Sequence, residues 1–421
     1  MSRVLMTTWA GAGNTPPMAS VARALVGRGH DVHVLADELI RVDFEATGAS
    51  FSPWRRTEHR TAHGRHGDLS KDWEPDDAGE QIARLRDRVT AGPAPEHAAD
   101  TTDAIQRVRP DLVLCEQLLL GPLVAAEAAG IPAVLLNPRV DVVPAPGRPP
   151  FGFGLMPATT PEEHERDRQL AAAAMEMWDA ALPAVNRARV EHGLVPLAHT
   201  MDQGRSAASV LVMSSAAFDF PAETPPGVRC VGPRLDDAVW AERQPWEVAG
   251  EGPLVLVALS SDYQEQEDVL QRIATGLGQL PVRALVTTGQ GVDPSLIKAP
   301  ANVTVLAAAP HAEVLREAAV CVTHCGHGTT LKAIAAGVPL VCVPMGRDQF
   351  DIAARVRYAG AGVQVDVDAD PASLAAAVRG VLHEPRFAAR AANLAAAIAE
   401  ETASDQVVAE VEALVNAPVR A

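Results

Sequence analysis

The sequence predicts an α/β protein made of two successive βαβ domains, each on a parallel sheet. Three observations predict it. Short apolar, β-branched runs recur along the chain, glycine-rich turns follow several of them, and helix-like stretches come next. A strand that feeds a helix and then another strand folds as a right-handed parallel unit. A chain of 421 residues is also long for one core, so two domains are expected.

The elements follow in order. Arg3–Thr8 reads as a strand, Gly11–Asn14 as a glycine turn, Met18–Val26 as a helix and Val32–Ala36 as the second strand. Leu112–Cys115, Ala133–Leu136 and Val210–Met213 continue that sheet. From Leu235 to Gly252 the chain turns acidic and polar, with two tryptophans, a proline and no periodicity, which marks a linker. A second series follows at Leu254–Ala258, Arg283–Thr287, Val303–Leu306, Val320–Thr323 and Leu340–Val343. Ser404–Val415 closes the chain as a helix with apolar residues at 407, 408, 411, 414 and 415. The expected division is 1–234, a linker at 235–252, 253–403, and a terminal segment at 404–421.

The most informative stretch is His324-Cys325-Gly326-His327-Gly328-Thr329-Thr330. It sits between a buried strand and the helix Leu331–Ala336, which Gly337 stops. A strand that ends in a glycine turn and opens a helix gathers free backbone N–H groups at the positive end of a helix dipole, an anion site. His324, at the strand tip, can add a hydrogen bond or a charge. The next strand, Val338–Pro344, is followed by Asp348 and Gln349. In open α/β sheets ligands bind beyond the carboxyl ends of strands. A carboxylate and an amide there can hold hydroxyls near the phosphate, which points to a nucleotide sugar.

Composition excludes several classes. A net charge of −17 argues against nucleic acid and anionic membranes. No apolar run approaches the roughly 18 residues of a membrane span, and Met1-Ser2-Arg3 enters a strand without a signal peptide. The five cysteines lie in or beside apolar strands and read as reduced thiols of a cytoplasmic protein. His59, His63 and His66 are spaced for one helix face, but Gly64 and Gly67 break that helix and neighbouring arginines repel a cation. Asp366, Asp368 and Asp370 resemble the start of a calcium loop, yet Pro371 stands where its turn needs glycine. No metal site is expected.

The stretch Val322–Arg355 resembles the donor signature of the family 1 GT-B glycosyltransferases, above all the bacterial branch that decorates antibiotics. Arg28-Gly29-His30-Asp31-Val32, Pro110-Asp111-Leu112, Asp219-Phe220-Pro221, Val231-Gly232-Pro233 and Pro310-His311 extend the likeness over most of the chain. The resemblance implies two Rossmann-like domains facing across a cleft, with the last helix crossing back to the first domain; a helix capping the second domain is the alternative. It implies an inverting, metal-independent transfer from a nucleoside diphosphate sugar to a small-molecule aglycone, with no other cofactor. It also allows a homodimer. Donor contacts carried over are Ser261, His311, His324, Gly326, His327, Gly328, Thr329, Asp348 and Gln349. Trp9 belongs to the acceptor side.

Two departures stand out. Relatives carry a proton-accepting histidine in the turn after the first strand, oriented by an acidic residue after a later one. Here those positions read as Asn14 and Glu116, and an amide cannot act as a base. Three explanations stay open: Glu116 is the base with Asn14 orienting the acceptor, Asp141 is the base, or the acceptor needs little help, being an acidic phenol, a hydroxylamine or an electron-rich carbon. In addition, Ala307–Ala309 stand where relatives place an aromatic against the nucleotide base. Selectivity between dTDP and UDP is therefore open, with a dTDP-deoxysugar the first expectation.

Two long loops, Arg55–Glu74 and the proline-rich Asp141–Pro161, exceed ordinary connections and suit an acceptor site. Phe151, Phe153 and Met156 in the second offer an apolar wall, or else pack on their own core. Two rival readings accompany the transferase. One is a catalytically impaired auxiliary binding protein; the other is a sugar-nucleotide epimerase of the same architecture.

Overall fold

A computed structural model describes residues 1–11, 13–75, 77–141 and 145–416. Ala12 of the glycine turn, residues 142–144 of the proline-rich loop and the end of the terminal segment, 417–421, lie outside the described residues. The first sheet holds β1 (Arg3–Thr7), β2 (Asp31–Ala36), β3 (Ser50–Pro53), β4 (Leu112–Glu116), β5 (Ala133–Asn137), β6 (Ser209–Val212) and β7 (Val228–Cys230). The second holds β8 (Leu254–Ala258), β9 (Arg283–Thr287), β10 (Val303–Leu306), β11 (Ala318–Thr323), β12 (Leu340–Cys342) and β13 (Gly362–Gln364).

Both sheets are parallel throughout, in the orders β3-β2-β1-β4-β5-β6-β7 and β10-β9-β8-β11-β12-β13. The central strands β4, β5 and β8 are buried along their whole length, as strands covered on both faces must be. In each sheet the order reverses once, between β1 and β4 and between β8 and β11. Such a reversal leaves a crevice at the strand carboxyl ends. The glycine turn 11–14 follows β1, and the turn 324–328 follows β11, so both motifs fall at reversal points.

Several boundaries differ from expectation for local reasons. The first helix is Thr15–Gly27, because Pro16 and Pro17 fit its first turn, where no intrahelical N–H is needed. The helix after β8 opens at Glu267, since Glu265 adopts φ +54°, outside helical space. After β11 the helix is His327–Ala335, with Gly326 at its N-cap, so it opens at His327 rather than Leu331. Asp370, the last of the aspartates that resemble a calcium loop, caps the helix Pro371–His383 by accepting from Ser373 N at 2.7 Å.

The last helix, Gln406–Asn416, packs on the first domain. Val407, Val408 and Val411 are buried in the same apolar core as Val4, Val21 and Leu25. Where the chain crosses back, it lies against the earlier crossing: a Cβ on Gly232 (φ +77°) would sit 3.1 Å from Glu401 O, and Arg234 Nη1 meets Asp405 Oδ2 at 2.9 Å. Among the described residues no helix is long and apolar enough to cross a membrane.

Candidate active site

The cleft between the sheets encloses ≈ 1190 Å³. On the second sheet its wall is the junction after β11. His324 is buried, and its Nδ1 has no hydrogen-bond partner among the described residues. Burial, then the charge of Arg347, push its pKa down to about 3, so the ring is neutral. The ring lies over Gly326: a Cβ there would come within 2.7 Å of His324 Cε1 and Nε2, so only glycine leaves the imidazole its place. Gly328 and Thr329, in the first turn of the helix, line the cleft beside it. A buried polar atom without a partner, next to a helix N-terminus, is what an anion would complete.

The other donor-side residues separate into lining and supporting groups. Ser261, after β8, lines the cleft, held close to Gly289 (φ +72°), where a Cβ would come 2.7 Å from Ser261 Cα. Asp348 lies at the N-cap of the helix Gln349–Ala359 but makes no cap hydrogen bond, and burial raises its pKa. Gln349 lines the cleft, yet its amide is engaged: Oε1 accepts from Met345 N (2.7 Å) and Gly346 N (3.1 Å), while Nε2 donates to Gln264 (2.9 Å). These bonds fix the loop that carries Asp348 and leave Gln349 one N–H of its Nε2 for a ligand. His327 also departs from expectation, because its Nε2 bonds Ser214 Oγ of the first domain at 3.0 Å. His311 meets Thr287 Oγ1 at 3.0 Å, its pKa lowered to about 4 by burial and then by Lys332.

Across the cleft, the turn after β1 carries no base. Asn14 Oδ1 accepts from Arg139 Nη1 at 3.0 Å, and Arg139 Nη2 donates to Glu116 Oε1 at 2.7 Å. Glu116 is fully buried, and its other oxygen accepts from Leu118 N at 2.8 Å. Asp141 is buried too and is ion-paired with Arg148 at 2.7 Å. The structure therefore corrects both expected bases: neither carboxylate is presented to an acceptor. What faces the cleft between Asn14 and Glu116 is Arg139.

Comparison with known proteins fits this geometry. Residues 271–414 match the family described as erythromycin biosynthesis protein CIII-like, C-terminal domain. The 4'-demethylrebeccamycin synthase of Lentzea aerocolonigenes is 29% identical over 98% of this chain and 100% of its own. The crystal structure of the calicheamicin glycosyltransferase superposes with a TM-score of 0.74 at 22% identity, over 99% of this chain and 100% of that one. The chain is a glycosyltransferase of GT-B fold, similar over its full length to enzymes of antibiotic pathways. A spinosyn rhamnosyltransferase complexed with thymidine diphosphate shares the fold, at a TM-score of 0.69 and 20% identity over 99% and 100% of the chains.

The acceptor side of the glycosyltransferase is apolar but not as the loop sequence suggests. Phe151 packs against the core of the second domain and also lines the cleft, as does Phe153, 43% exposed. Met156 lies on the surface outside the cleft lining, a correction to its expected role. Half-buried Trp9 packs on the first core and lines the cleft, its ring 2.9 Å from where a Cβ on Gly11 would be. The larger apolar wall comes from Met175, Met177 and Trp178 on the helix Pro161–Asp179, which buries none of its residues fully. That lack of a buried stripe, with two methionines and a tryptophan in four positions, was the available signal.

The loop after β3 was expected at the acceptor site and instead reaches the donor domain. Arg60 Nη1 donates to Asp262 Oδ1 at 2.9 Å, directly after Ser261, and to Ala10 O at 2.7 Å. Arg347, beside Asp348 and at φ +56°, forks onto Asp72 at 2.5 and 2.8 Å. Among the described residues no group of His, Cys, Asp and Glu converges as a metal site, His59, His63 and His66 included.

Proposed function

We propose that this glycosyltransferase moves a deoxysugar from a dTDP donor onto an apolar natural-product aglycone, with inversion at the anomeric carbon and without a metal or other cofactor. The observation that carries the reading is His324, buried in the wall of the cleft with Nδ1 unpartnered beside the N-terminus of the helix His327–Ala335. As the donor bond breaks, negative charge gathers on the diphosphate. A neutral imidazole N–H and a helix terminus are donors already in place for it; the helix terminus contributes about 0.3–2 kcal/mol, and a preorganised donor in a dry site ~3 kcal/mol. Asp348 holds sugar hydroxyls, and the methionine and tryptophan wall takes the aglycone.

Thymidine diphosphate in the spinosyn relative supports dTDP over UDP. The auxiliary-protein and epimerase readings gain no such support, since the relatives above are transferases or a synthase along their full length. Calorimetric titration with dTDP and UDP, on the native protein and His324→Ala, tests the reading. Micromolar dTDP binding that the variant weakens at least about tenfold is expected. Equal binding by both proteins, or none by either, would overturn it.

A further inference from the structure

One cationic side chain occupies the place where a base is expected. Arg139 follows β5 and reaches the turn after β1, with its guanidinium tied on one side to Asn14 and on the other to Glu116. It lines the cleft at 13% side-chain exposure. Its charge acts on His327, at the start of the donor helix, and on Asp348, at the sugar loop. Arg139 thus stands between the acceptor turn and the donor junction, near where the two substrates meet. Glu116 and Asp348 are the carboxylates facing it, His327 the imidazole, and Arg347 and Arg355 share the field around Asp348.

A fixed guanidinium cannot take a proton, because it is never deprotonated in proteins. It can do the opposite task. An opposite charge at contact distance lowers the pKa of an acidic group by about one to three units, and the planar fork suits an oxyanion or a delocalised N-anion. Glu116 keeps the fork in place without competing for the nucleophile, since Leu118 N and Arg139 occupy its oxygens.

We infer that the acceptor is an acidic hydroxyl or N–H compound, of the phenol or enol type, bound as its anion against Arg139. This rests on the transferase reading above. The proton leaves to bulk water before transfer. The anion's lone pair then forms the bond to the anomeric carbon, while the bond from that carbon to the diphosphate oxygen breaks and its electron pair departs with dTDP. Arg139 touches the nucleophile and is a catalytic residue; Glu116 and Asn14 are positioning residues. Neutral aliphatic alcohols lack such an anion near neutral pH, so they lose the ~10²–10⁴-fold that a general base supplies.

A hydroxyanthraquinone whose ionised form absorbs at longer wavelength reports the state of the bound phenol directly. Titrated with the full-length protein and dTDP at a pH about one unit below its own pKa, it should bind as the phenolate, its ionised fraction rising from about a tenth to between about half and nearly all, roughly five- to elevenfold. The double variant Arg139→Gln/Glu116→Gln removes both charges together, leaves no buried ion unpaired, and should bind the dye in neutral form. Dye bound as the neutral phenol by the native protein, or not bound, overturns the inference. So does a phenolate signal that survives in the double variant. The dTDP affinity, measured separately, decides the underlying reading: its absence in the native protein sinks the transferase assignment itself, and its persistence in the double variant shows the fold intact.

Discussion

Gly326→Ala isolates what the imidazole of His324 does, without touching the imidazole. The added Cβ would stand 2.7 Å from His324 Cε1 and Nε2, where ordinary contact begins at 3.4 Å. The ring must therefore retreat by about 0.7 Å, the difference between those two distances. Gly326 has φ −60°, ψ 134°, which alanine adopts without strain, so the backbone and the helix start stay as they are. Entropy of the unfolded chain should even favour the variant by about 0.4–1 kcal/mol, offsetting part of the crowding.

A hydrogen bond to a charged phosphate contributes about 1.5–3 kcal/mol. A shift of this size removes most of its geometry. The Kd for dTDP should rise roughly 10- to 100-fold, with Tm within a few degrees of native. Calorimetry on Gly326→Ala, His324→Ala and the double variant closes a cycle. Because both changes act through one ring, the double variant should bind no worse than His324→Ala. Native-like affinity in Gly326→Ala, or additive losses in the double, would refute the reasoning.

Two further predictions concern the contacts that cross the cleft. Asp72→Asn frees the Arg347 fork beside Asp348. Breaking one side of a largely buried pair is costly, so donor KM should rise about 3- to 10-fold with Tm down by several degrees; unchanged donor KM would clear Asp72 of any part in donor binding. Asp351 accepts from Gly152 N (2.8 Å) and Gly154 N (3.4 Å), and burial lifts its pKa to about 6. The folded carboxyl then keeps its proton where the unfolded one, with a pKa of about 4, has lost it. Its share of stability therefore falls as pH rises from about 4 to 6, by at most ~3 kcal/mol. Asp351→Asn has no such slope, so its Tm relative to native should climb through that window and level off above it. A constant difference would rule Asp351 out as the source.

The sequence was most legible where structure depends on neighbours along the chain. The central strands β1, β4, β8 and β11 are near-continuous apolar runs, and the turn at 324–329 carries its glycines, histidine and helix start within a few residues. The edge strands β3, β7 and β13 were missed, being three or four residues long and partly polar. Arg139 was missed for a different reason. It belongs to no local pattern, and its partners lie 23 and 125 residues away. Glu116 ends β4 at the reversal point, one residue beyond the strand read from the sequence, but a position cannot reveal that the carboxylate is already spoken for. The strap of residues 55–74 looked like an acceptor loop because only the fold brings Asp72 to Arg347 and Arg60 to Asp262.

The two crossings between the domains have a mechanical consequence. Because Gly232 lies against Glu401 and Arg234 holds Asp405, both covalent passages run side by side, past β7 at one border of the first sheet. The strap carrying Arg60 and Asp72 is rooted on β3, at the opposite border. The molecule is thus bound like a book, with a peptide spine on one side and ionic clasps, Arg60 to Asp262 and Arg347 to Asp72, on the other. Opening for substrate exchange is then a swing about the spine in which the clasps must let go, and because both pairs are largely buried, salt screens them far less than it would a surface pair.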